Sequence, residues 1–210
     1  MRRWRFRTRR GREVTPVYKT LLKALFLGLS MALSLPAALL SGFGRIRGIY
    51  RFFAQAHALL PGLPGDYLRA GYYRWTLKEF GDRSRIEFGS YFAHPEARVG
   101  RSVYIGSMNI LGRAVIGDGC QIASGVQILS GARQHPRGED GALGGSAQGV
   151  FEAVHIGSGC WIGAGAIVMA DVGENTTVGA GSVVTRSLPA NCTAVGSPAR
   201  VLTPKSADPV

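Results

Sequence analysis

The sequence predicts a mainly β fold, a parallel β-helix that follows membrane-associated helices. Three observations predict it. Aliphatic residues recur at six-residue intervals through the C-terminal half of the 210-residue chain, and glycine follows most of them. An uncharged, leucine-rich stretch lies near the N-terminus, at residues 24–43. Most of the net charge of +12 flanks that stretch. The six-residue repeat predicts the β-helix, and the other two features predict the membrane association.

The first element is a basic N-terminal segment. Twelve of the 25 Lys and Arg residues fall within residues 1–51, where Glu13 is the one acidic residue. The rest of the chain is nearly neutral, so the charge belongs to this segment and not to the repeat. No basic surface with interleaved aromatic residues accompanies the repeat, and we therefore expect no nucleic-acid partner.

The leucine-rich stretch predicts a membrane segment in contact with lipid. A helix over residues 24–43 would be about 30 Å long, which matches the hydrocarbon core of a bilayer. A cleaved secretory signal is the alternative. The run is longer than an ordinary signal core, however, and no small-x-small cleavage site ends it.

The topology of this segment is open at the sequence level. Basic residues flank it on both sides, so the distribution of positive charge favours neither orientation. Pro36 removes a backbone hydrogen bond and is expected to bend the helix. A re-entrant hairpin that enters and leaves on the cytoplasmic face fits both facts, and a single span is the alternative. Residues 1–60 form this basic, membrane-associated region.

Residues 61–85 are predicted to hold a linker and an amphipathic helix. Prolines and glycines fill residues 61–65, and Asp66 is a candidate N-cap for the helix that follows. That helix mixes aromatic and leucine residues with Arg69, Arg74 and Lys78. We expect it to lie on the membrane surface, to cap the open end of the β-helix, or to do both.

The repeat itself sets the interior of the predicted β-helix. Each aliphatic lead is expected to point inward, so that stacked leads form a continuous apolar column. The leads are Val99, Ile105, Leu111, Ile116, Ile122, Ile128, Ile156, Ile162, Val168, Val172, Val178 and Val184. A small or β-branched residue follows most leads by four positions, at Val103, Val115, Cys120, Val126, Cys160, Ala166, Thr176 and Ser182. The step after Leu111 is one residue short, and the step after Val168 is two short.

An insertion interrupts the coils between Ser130 and Val154. A β-helix has no structural need for such an excursion, and long loops in compact folds are usually functional. The inserted stretch contains His135, one of four histidines in the chain. The sequence therefore predicts that the chemistry of the protein resides at this loop.

Three stretches of the chain resemble the hexapeptide-repeat acyltransferases, the group of galactoside, maltose, serine and xenobiotic acetyltransferases. They are VQILSGARQHPR, VHIGSGCWIGAGAIV and VGAGSVVTRSLPANCTAVGSPARVL. The resemblance covers about residues 86–202, so we assign residues 86–203 to the β-helix domain and residues 204–210 to a tail. It implies a left-handed coil and a homotrimer.

The resemblance also implies direct transfer of an acetyl group from acetyl-CoA to a sugar hydroxyl, with His135 as the general base. An imidazole within hydrogen-bond reach can take the hydroxyl proton during attack on the thioester. Glu139, Asp140 and Glu152 are the acidic candidates to orient this histidine, and a main-chain carbonyl is equally possible. No metal ion is expected.

Matching the family's motifs position by position implies a coenzyme A groove between neighbouring β-helices. The matched positions are Trp161, Ala164, Ala180, Thr185, Arg186 and Arg200. The guanidinium of Arg200 suits the 3′-phosphate of the nucleotide. For Trp161, packing in the core is an equal alternative. The chain departs from the family at residues 170–173, which are two residues shorter than usual. We expect this to move the corner near the coenzyme A groove, which bears on the contact at Ala164.

The membrane segment and the resemblance together predict the setting of the reaction. Coenzyme A thioesters are cytoplasmic, so we expect the catalytic domain on the cytoplasmic side of the inner membrane. A membrane-bound acceptor follows, such as a lipid-linked sugar of an envelope polysaccharide. N-acetylation of an amino sugar and a non-catalytic membrane-anchored β-helix scaffold are the alternatives.

A metal hydratase of the γ-carbonic anhydrase type shares the coil but needs three zinc-ligating histidines. His94, His135 and His155 lack that spacing. The three cysteines, Cys120, Cys160 and Cys192, also lack metal-ligand spacing, and we expect them to be buried thiols of a reduced protein.

Overall fold

Three helices precede the β-helix in the computed structural model, which describes residues 17–131, 135, 142–143 and 151–204. The helices are α1 (Val17–Leu40), α2 (Arg47–Ala58) and α3 (Gly62–Thr76). Helix α1 continues through Pro36, and the chain reverses after it, at residues 41–46. Pro36 therefore does not end the helix, and the bend expected there stays a prediction.

Short strands make up the rest of the described chain. The strands are β1 (Glu79–Phe80), β2 (Arg85–Ile86), β3 (Tyr91–Phe92), β4 (Arg98–Val99), β5 (Tyr104–Ile105), β6 (Ile110–Leu111), β7 (Ala114–Ile116), β8 (Gln121–Ile122), β9 (Gln127–Ile128), β10 (Val154–Ile156), β11 (Trp161–Ile162), β12 (Ile167–Val168), β13 (Thr177–Val178), β14 (Val183–Val184), β15 (Cys192–Val195) and β16 (Arg200–Pro204).

The strands form three parallel walls. Wall A contains β1, β4, β7 and β10; wall B contains β2, β5, β8, β11, β13, β15 and β16; wall C contains β3, β6, β9, β12 and β14. Isolated bridges at Val172 and Leu188 extend wall A. Strand β16 is antiparallel to β15 and closes the last coil. The predicted parallel β-helix is confirmed, with about five coils; its hand stays a prediction.

The predicted apolar column is confirmed. All twelve leads are buried, and register pairs them from coil to coil, as in Val99 with Ile116 and Ile116 with Ile156. Burying one such side chain contributes about 1.5–3 kcal/mol relative to leaving it exposed. The stacked leads therefore hold successive coils together without any disulfide.

The irregular steps of the repeat all fall at one corner. Between walls A and B, and between walls B and C, inward leads follow one another at six residues. From wall C to wall A the next lead comes seven residues after Phe92, five after Leu111 and four after Val168. The 23-residue gap between Ser130 and Val154 lies at the same place. We call this edge, which among the described residues is built by 93–98, 112–114, 129–131, 151–153, 169–171 and 185–187, the C–A corner.

One corner residue differs from the expectation. Because the step after Leu111 is short, Ala114 and not Val115 supplies the buried small side chain. Val115 lies half-buried on wall A, where it pairs in register with Arg98 and His155. The other small residues that follow leads by four positions are buried.

The β-helix begins earlier than the sequence indicated. Strand β1 starts at Glu79, and Phe80, Ile86 and Phe92 are the buried leads of the first coil. Two of these leads are phenylalanine, which hid them from a search for aliphatic residues. The six-residue spacing is nevertheless kept across this coil.

Helix α3 caps the first coil. The hydroxyl of Tyr73 accepts a hydrogen bond from the Phe92 N–H (3.1 Å), and Arg69 Nε donates to the Ile86 carbonyl (3.0 Å). The helix is covered by α1 on its other side. The capping role is therefore confirmed, and the placement of this helix at the membrane surface stays a prediction.

The predicted N-cap of α3 is also wrong. The helix starts at Gly62, and Asp66 lies in its second turn. The carboxylate of Asp66 is buried, where it accepts from Arg69 Nη2 (2.6 Å) and pairs with Arg85 Nη2 (2.8 Å). Asp66 thus forms ion pairs with two arginines beneath α3. It does not cap the first turn of the helix, which has no side-chain cap.

Candidate active site

The inserted loop leaves the β-helix at the C–A corner, and its two ends are tied together. The N–H of Glu152 donates to the Ser130 carbonyl (3.1 Å). Arg113, one coil earlier, donates its N–H to Ser130 Oγ (2.9 Å) and its Nη1 to the Phe151 carbonyl (2.6 Å). These bonds fix where the loop starts and ends, whatever path lies between.

His135, the predicted base, lies exposed in this loop. Of the three carboxylates considered as its orienting partner, Glu139 and Asp140 lie outside the described residues. Glu152 lies at the root of the loop, where a Cβ added to Gly131 would meet its Oε2 at 3.2 Å. Glu152 is thus the described carboxylate that the fold places at the base of the His135 loop.

A groove of about 630 Å³ runs along the C–A corner beside the loop root. Its lining includes Gly131, Glu152, His155, Asp171, Thr185 and Arg186. These residues come from three successive coils, because each coil passes the corner once. The groove therefore joins the root of the loop to two of the predicted coenzyme A positions, Thr185 and Arg186.

His155 and Asp171 line one side of the groove. The N–H of His155 donates to Asp171 Oδ1 (2.8 Å), and its ring Nδ1 lies 3.4 Å from the same oxygen. His155 is exposed, as the sequence predicted. Asp171 lies in the step from Val168 to Val172, which is two residues shorter than a regular step. Its side chain closes this shortened corner.

The predicted coenzyme A positions fall on two edges of one chain. Ala164 and Ala180 stack at the corner between walls B and C, where the N–H of Gly181 donates to the Ala164 carbonyl (2.8 Å). Five extended residues separate that corner from the groove, a distance of about 16 Å. The short step at residues 170–173 lies at the C–A corner, beside Thr185 and Arg186 and not beside Ala164. Its effect on a coenzyme A contact stays a prediction.

Trp161 and Arg200 are both on the surface of wall B. The Trp161 side chain is 57% exposed, because it precedes the inward lead Ile162 and so faces outward. The alternative that Trp161 packs in the core is wrong. Arg200 is exposed at the start of β16, next to Ala199, whose N–H donates to the Val183 carbonyl (2.8 Å). Arg200 thus lies at the edge of wall B that adjoins wall C, near the stacked alanines.

Two further residues stand at the C–A corner that sequence analysis did not connect with the site. The ring of His94 lies 5.4 Å from the ring of Phe151, at the end of the loop. Burial lowers the pKa of His94, and Arg113 and Arg47 lower it further. The signal available in the sequence was position: both His94 and Arg113 occupy the irregular step between walls C and A.

The cysteines do not form a site. All three are buried and free, and Cys120 Sγ donates to the Gly157 carbonyl (3.0 Å). A hydrogen bond with the thiol of Cys160 raises the pKa of Cys120, which disfavours the reactive thiolate. Across the described residues no three His, Cys, Asp or Glu side chains are grouped to hold a metal ion.

Comparison with known proteins agrees with this architecture. Residues 153–186 match the model of a family described as bacterial transferase hexapeptide (six repeats). The fold of this chain is a hexapeptide-repeat β-helix. A serine acetyltransferase from Synechococcus elongatus is 36% identical over 116 residues, which are 52% of this chain and 41% of the relative. A serine acetyltransferase from Bacillus licheniformis is 34% identical over 95 residues, 40% of this chain and 42% of the relative.

Solved structures share the hexapeptide-repeat fold. A hexapeptide-repeat acetyltransferase from Vibrio cholerae superposes with a TM-score of 0.64 at 20% identity, over 76% of this chain and 93% of the other. Galactoside acetyltransferase in complex with coenzyme A superposes with a TM-score of 0.63 at 23% identity, over 76% of this chain and 82% of the other. The chain spans about two fifths of the length of these two curated relatives.

Proposed function

We propose that the chain is an acetyl-CoA-dependent O-acetyltransferase acting on a sugar hydroxyl of a lipid-linked or envelope polysaccharide precursor. The observation that carries the proposal is the groove at the C–A corner. It places Thr185 and Arg186, two positions matched to the coenzyme A site of acetyltransferases, beside the root of the loop that presents the exposed His135. The similarity to serine acetyltransferases supports the same reaction type.

In this mechanism His135 acts as general base. Its neutral imidazole accepts the proton of the acceptor hydroxyl while the oxygen attacks the thioester carbonyl. The carbon–sulfur bond then breaks, and the protonated imidazole can return the proton to the departing coenzyme A thiolate. Glu152, at the root of the loop, is the described carboxylate available to hold the imidazole in one orientation.

The proposed donor site combines two copies of the chain. Thr185 and Arg186 lie on one edge of wall C and Ala164, Ala180 and Arg200 on the other. A groove between neighbouring β-helices of a homotrimer brings the two edges together, with Trp161 exposed toward it. Small side chains at Ala164 and Ala180 allow close approach of the pantetheine arm. The exposed Arg200 guanidinium donates to the Ala199 carbonyl through Nη1 (3.0 Å), and its other N–H groups suit phosphate oxygens.

The position of the helices supports a membrane-borne acceptor. At the foot of the C–A corner, a Cβ added to Gly44 would meet the Pro95 side chain at 2.8 Å, and Arg47 Nη2 pairs with Glu96 (2.5 Å). The turn between α1 and α2 is therefore packed against the same corner that carries the loop. Two coils, about 10 Å, separate that turn from the loop root. We place the protein at the cytoplasmic face of the inner membrane.

The deciding experiment compares wild type, a deletion and His135→Asn by mass spectrometry of lipid-linked and polymeric envelope glycans. We expect acetyl groups to be lost equally in the deletion and the variant. Purified His135→Asn should still bind coenzyme A in calorimetry, since the base does not hold the donor.

Other outcomes would change the proposal in defined ways. Absent coenzyme A binding in the wild type would favour a scaffold. Acetyl groups that resist mild base would indicate an amide and hence N-acetylation. Acetylation retained by the variant would exclude His135 as the base.

A further inference from the structure

The outer face of α1 is apolar, and its inner face is small and polar. At 100° per residue, the exposed apolar side chains fall within one sector of about 140° that contains no charge. They are Tyr18, Leu21, Leu22, Leu25, Phe26, Leu29, Leu33 and Leu40. Leu25 is 66% exposed and Leu33 is 62% exposed. This is the reverse of a helix on a water-soluble protein, whose apolar stripe faces the core.

The inner face of α1 packs against α3 at close range. Ser30, Ser34, Ala37 and Ala38 are buried there. A Cβ added to Gly71 of α3 would lie 2.8 Å from the backbone of Ser30. The hydroxyls of Ser30 and Ser34 donate to carbonyls of their own helix, at 2.7 and 3.2 Å. Small residues used in this way hold two helices together, and they leave the leucines for the outside.

Packing on α3 prevents α1 from crossing a bilayer. Within the described part of the chain, residues 17–25 of α1 precede the contact between Phe26 and Tyr67 of α3 (5.6 Å). These nine residues reach about 14 Å, less than half of a hydrocarbon core. A full span would take α3 and the first coil into the lipid, with the buried Asp66–Arg69 pair and the half-exposed Arg85. Charges at that depth cost several kcal/mol each.

Basic residues border the apolar surface. Lys23, Arg45 and Arg51 are exposed around α1 and α2, and the basic residues of the N-terminus precede them in the sequence. Helix α2 repeats the pattern, since Ile49 and Phe52 are exposed beside Arg51. An apolar face with a cationic border complements a bilayer surface that carries anionic headgroups.

We propose that the protein is monotopic: α1 lies in the plane of one leaflet, with its leucine face in the lipid and the exposed basic residues around it at anionic headgroups. It neither spans the bilayer nor forms a re-entrant hairpin. This orientation refines the membrane attachment proposed above, and it does not depend on acetyl transfer. It sets α3, which lies between α1 and the first coil, at the headgroups and directs the axis of the β-helix away from the membrane.

The first test is the side of the membrane on which each end lies. Because the three native cysteines are buried, single reporters at Arg12→Cys and Ala190→Cys can be labelled in the full chain with an impermeant maleimide. We expect both to be labelled in inverted inner-membrane vesicles and neither in intact spheroplasts. Labelling of Arg12→Cys from the opposite side to Ala190→Cys would show a span and overturn the proposal.

Depth separates the in-plane helix from a re-entrant hairpin. Spin labels at Leu22, Leu29 and Leu40 sample both ends and the middle of the outer face. The ratio of their accessibility to oxygen and to a nickel chelate reports the depth of each label in the bilayer. All three labels should lie at one shallow depth, about 5–10 Å below the headgroups. A depth that increases by most of a leaflet toward Pro36 would overturn the proposal in favour of the hairpin.

Vesicle flotation tests whether lipid is what contacts the outer face of α1. We expect Leu29→Glu and Leu33→Glu together to reduce binding to vesicles of phosphatidylglycerol and phosphatidylethanolamine by about tenfold or more. Leu202→Glu is the matched control, since Leu202 is a 63% exposed leucine on β16, and it should bind as wild type. Unchanged flotation of the double variant, with a change only in oligomeric mass, would assign the face to a second copy instead.

Discussion

At the scale of single residues, close contact and burial decide what each position tolerates. Gly71 lies where the backbones of α1 and α3 touch, so a side chain there has no space. Gly28, in α1, has no atom within 4 Å of an added Cβ. The two glycines therefore separate the effect of helix propensity from that of helix packing.

Gly71→Ala is expected to force α1 away from α3 and to lower the free energy of unfolding by about 1–3 kcal/mol. Gly28→Ala should raise it by up to about 1 kcal/mol, because alanine favours the helix. Urea unfolding in detergent, followed by circular dichroism, measures both. Equal effects of the two substitutions would contradict the close packing described here.

Burial lowers the pKa of His94 and of His57 below the ordinary histidine value. The unfolded chain then binds more protons than the folded protein once the pH falls below about 6.5, so stability is lost as the pH falls through that value. We expect the urea midpoint to decrease between about pH 7.5 and about pH 5.5. The double variant His57→Gln/His94→Gln should show a smaller decrease; an unchanged pH dependence would assign it to other groups.

At the scale of elements, arginines join segments that share no regular hydrogen bonds. The guanidinium of Arg69 donates to the carbonyls of His57 (2.9 Å), Leu60 (2.7 Å) and Ile86 (3.0 Å), and so connects the end of α2 to β2 through α3. Arg113 joins the two ends of the His135 loop, since its main-chain N–H donates to Ser130 Oγ and its guanidinium donates to the Phe151 carbonyl.

Arg69→Met is expected to cost about 3 kcal/mol of stability or more, because it leaves Asp66 and three carbonyls buried with fewer partners. Arg98→Met is the matched control. Arg98 pairs with Glu79 at 3.7 Å on the surface, where such pairs contribute about 0–1 kcal/mol. Thermal unfolding of both variants measures the contrast, and a mild effect of Arg69→Met would refute its role as a connector.

Arg113→Met should lower kcat of the proposed acetyl transfer by about tenfold or more, since a loop held loosely misplaces His135. Affinity for coenzyme A should stay within about twofold, because Arg113 is not among the positions matched to the donor site. Arg101→Met, which removes an exposed pair with Asp118, serves as the control. A loss of donor affinity equal to the loss of kcat would place Arg113 in the donor site instead.

At the scale of the whole molecule, the β-helix is a stack in which each coil contacts only its neighbours. Its interior coils are covered on both sides, whereas the last coil is covered by its predecessor and by β16. Local opening is therefore expected to start at the C-terminal coil. The cysteines report on this directly, since Cys120 and Cys160 occupy inner coils and Cys192 occupies the last.

We expect Cys192 to react with a thiol reagent at lower urea concentration than Cys120 and Cys160. Alkylation at increasing urea, with mass spectrometry of each peptide, measures the order. Simultaneous reaction of all three thiols would show that the stack unfolds as one cooperative unit.

The sequence by itself determined the β-helix, because a six-residue repeat of buried aliphatic residues is a local pattern that needs no partner to be recognised. It also located the loop of His135 as a break in that pattern, and the apolar stretch of α1. It missed the leads Phe80 and Phe92, where the residue type changed while the spacing held. It misjudged Asp66, whose role depends on Arg85 in a distant strand.

Only the tertiary structure decided what those features do together. Steps of seven, five and four residues are unrelated in the sequence, and they meet at one corner only once the coils are stacked. Trp161 faces solvent because side chains alternate along a strand and its neighbour Ile162 is the inward lead. The direction of the leucines of α1 was also undetermined, since hydropathy gives the length of an apolar stretch but not which face another helix covers. Contact with α3 at Gly71 and Ser30 made that choice, and it left the apolar side outward.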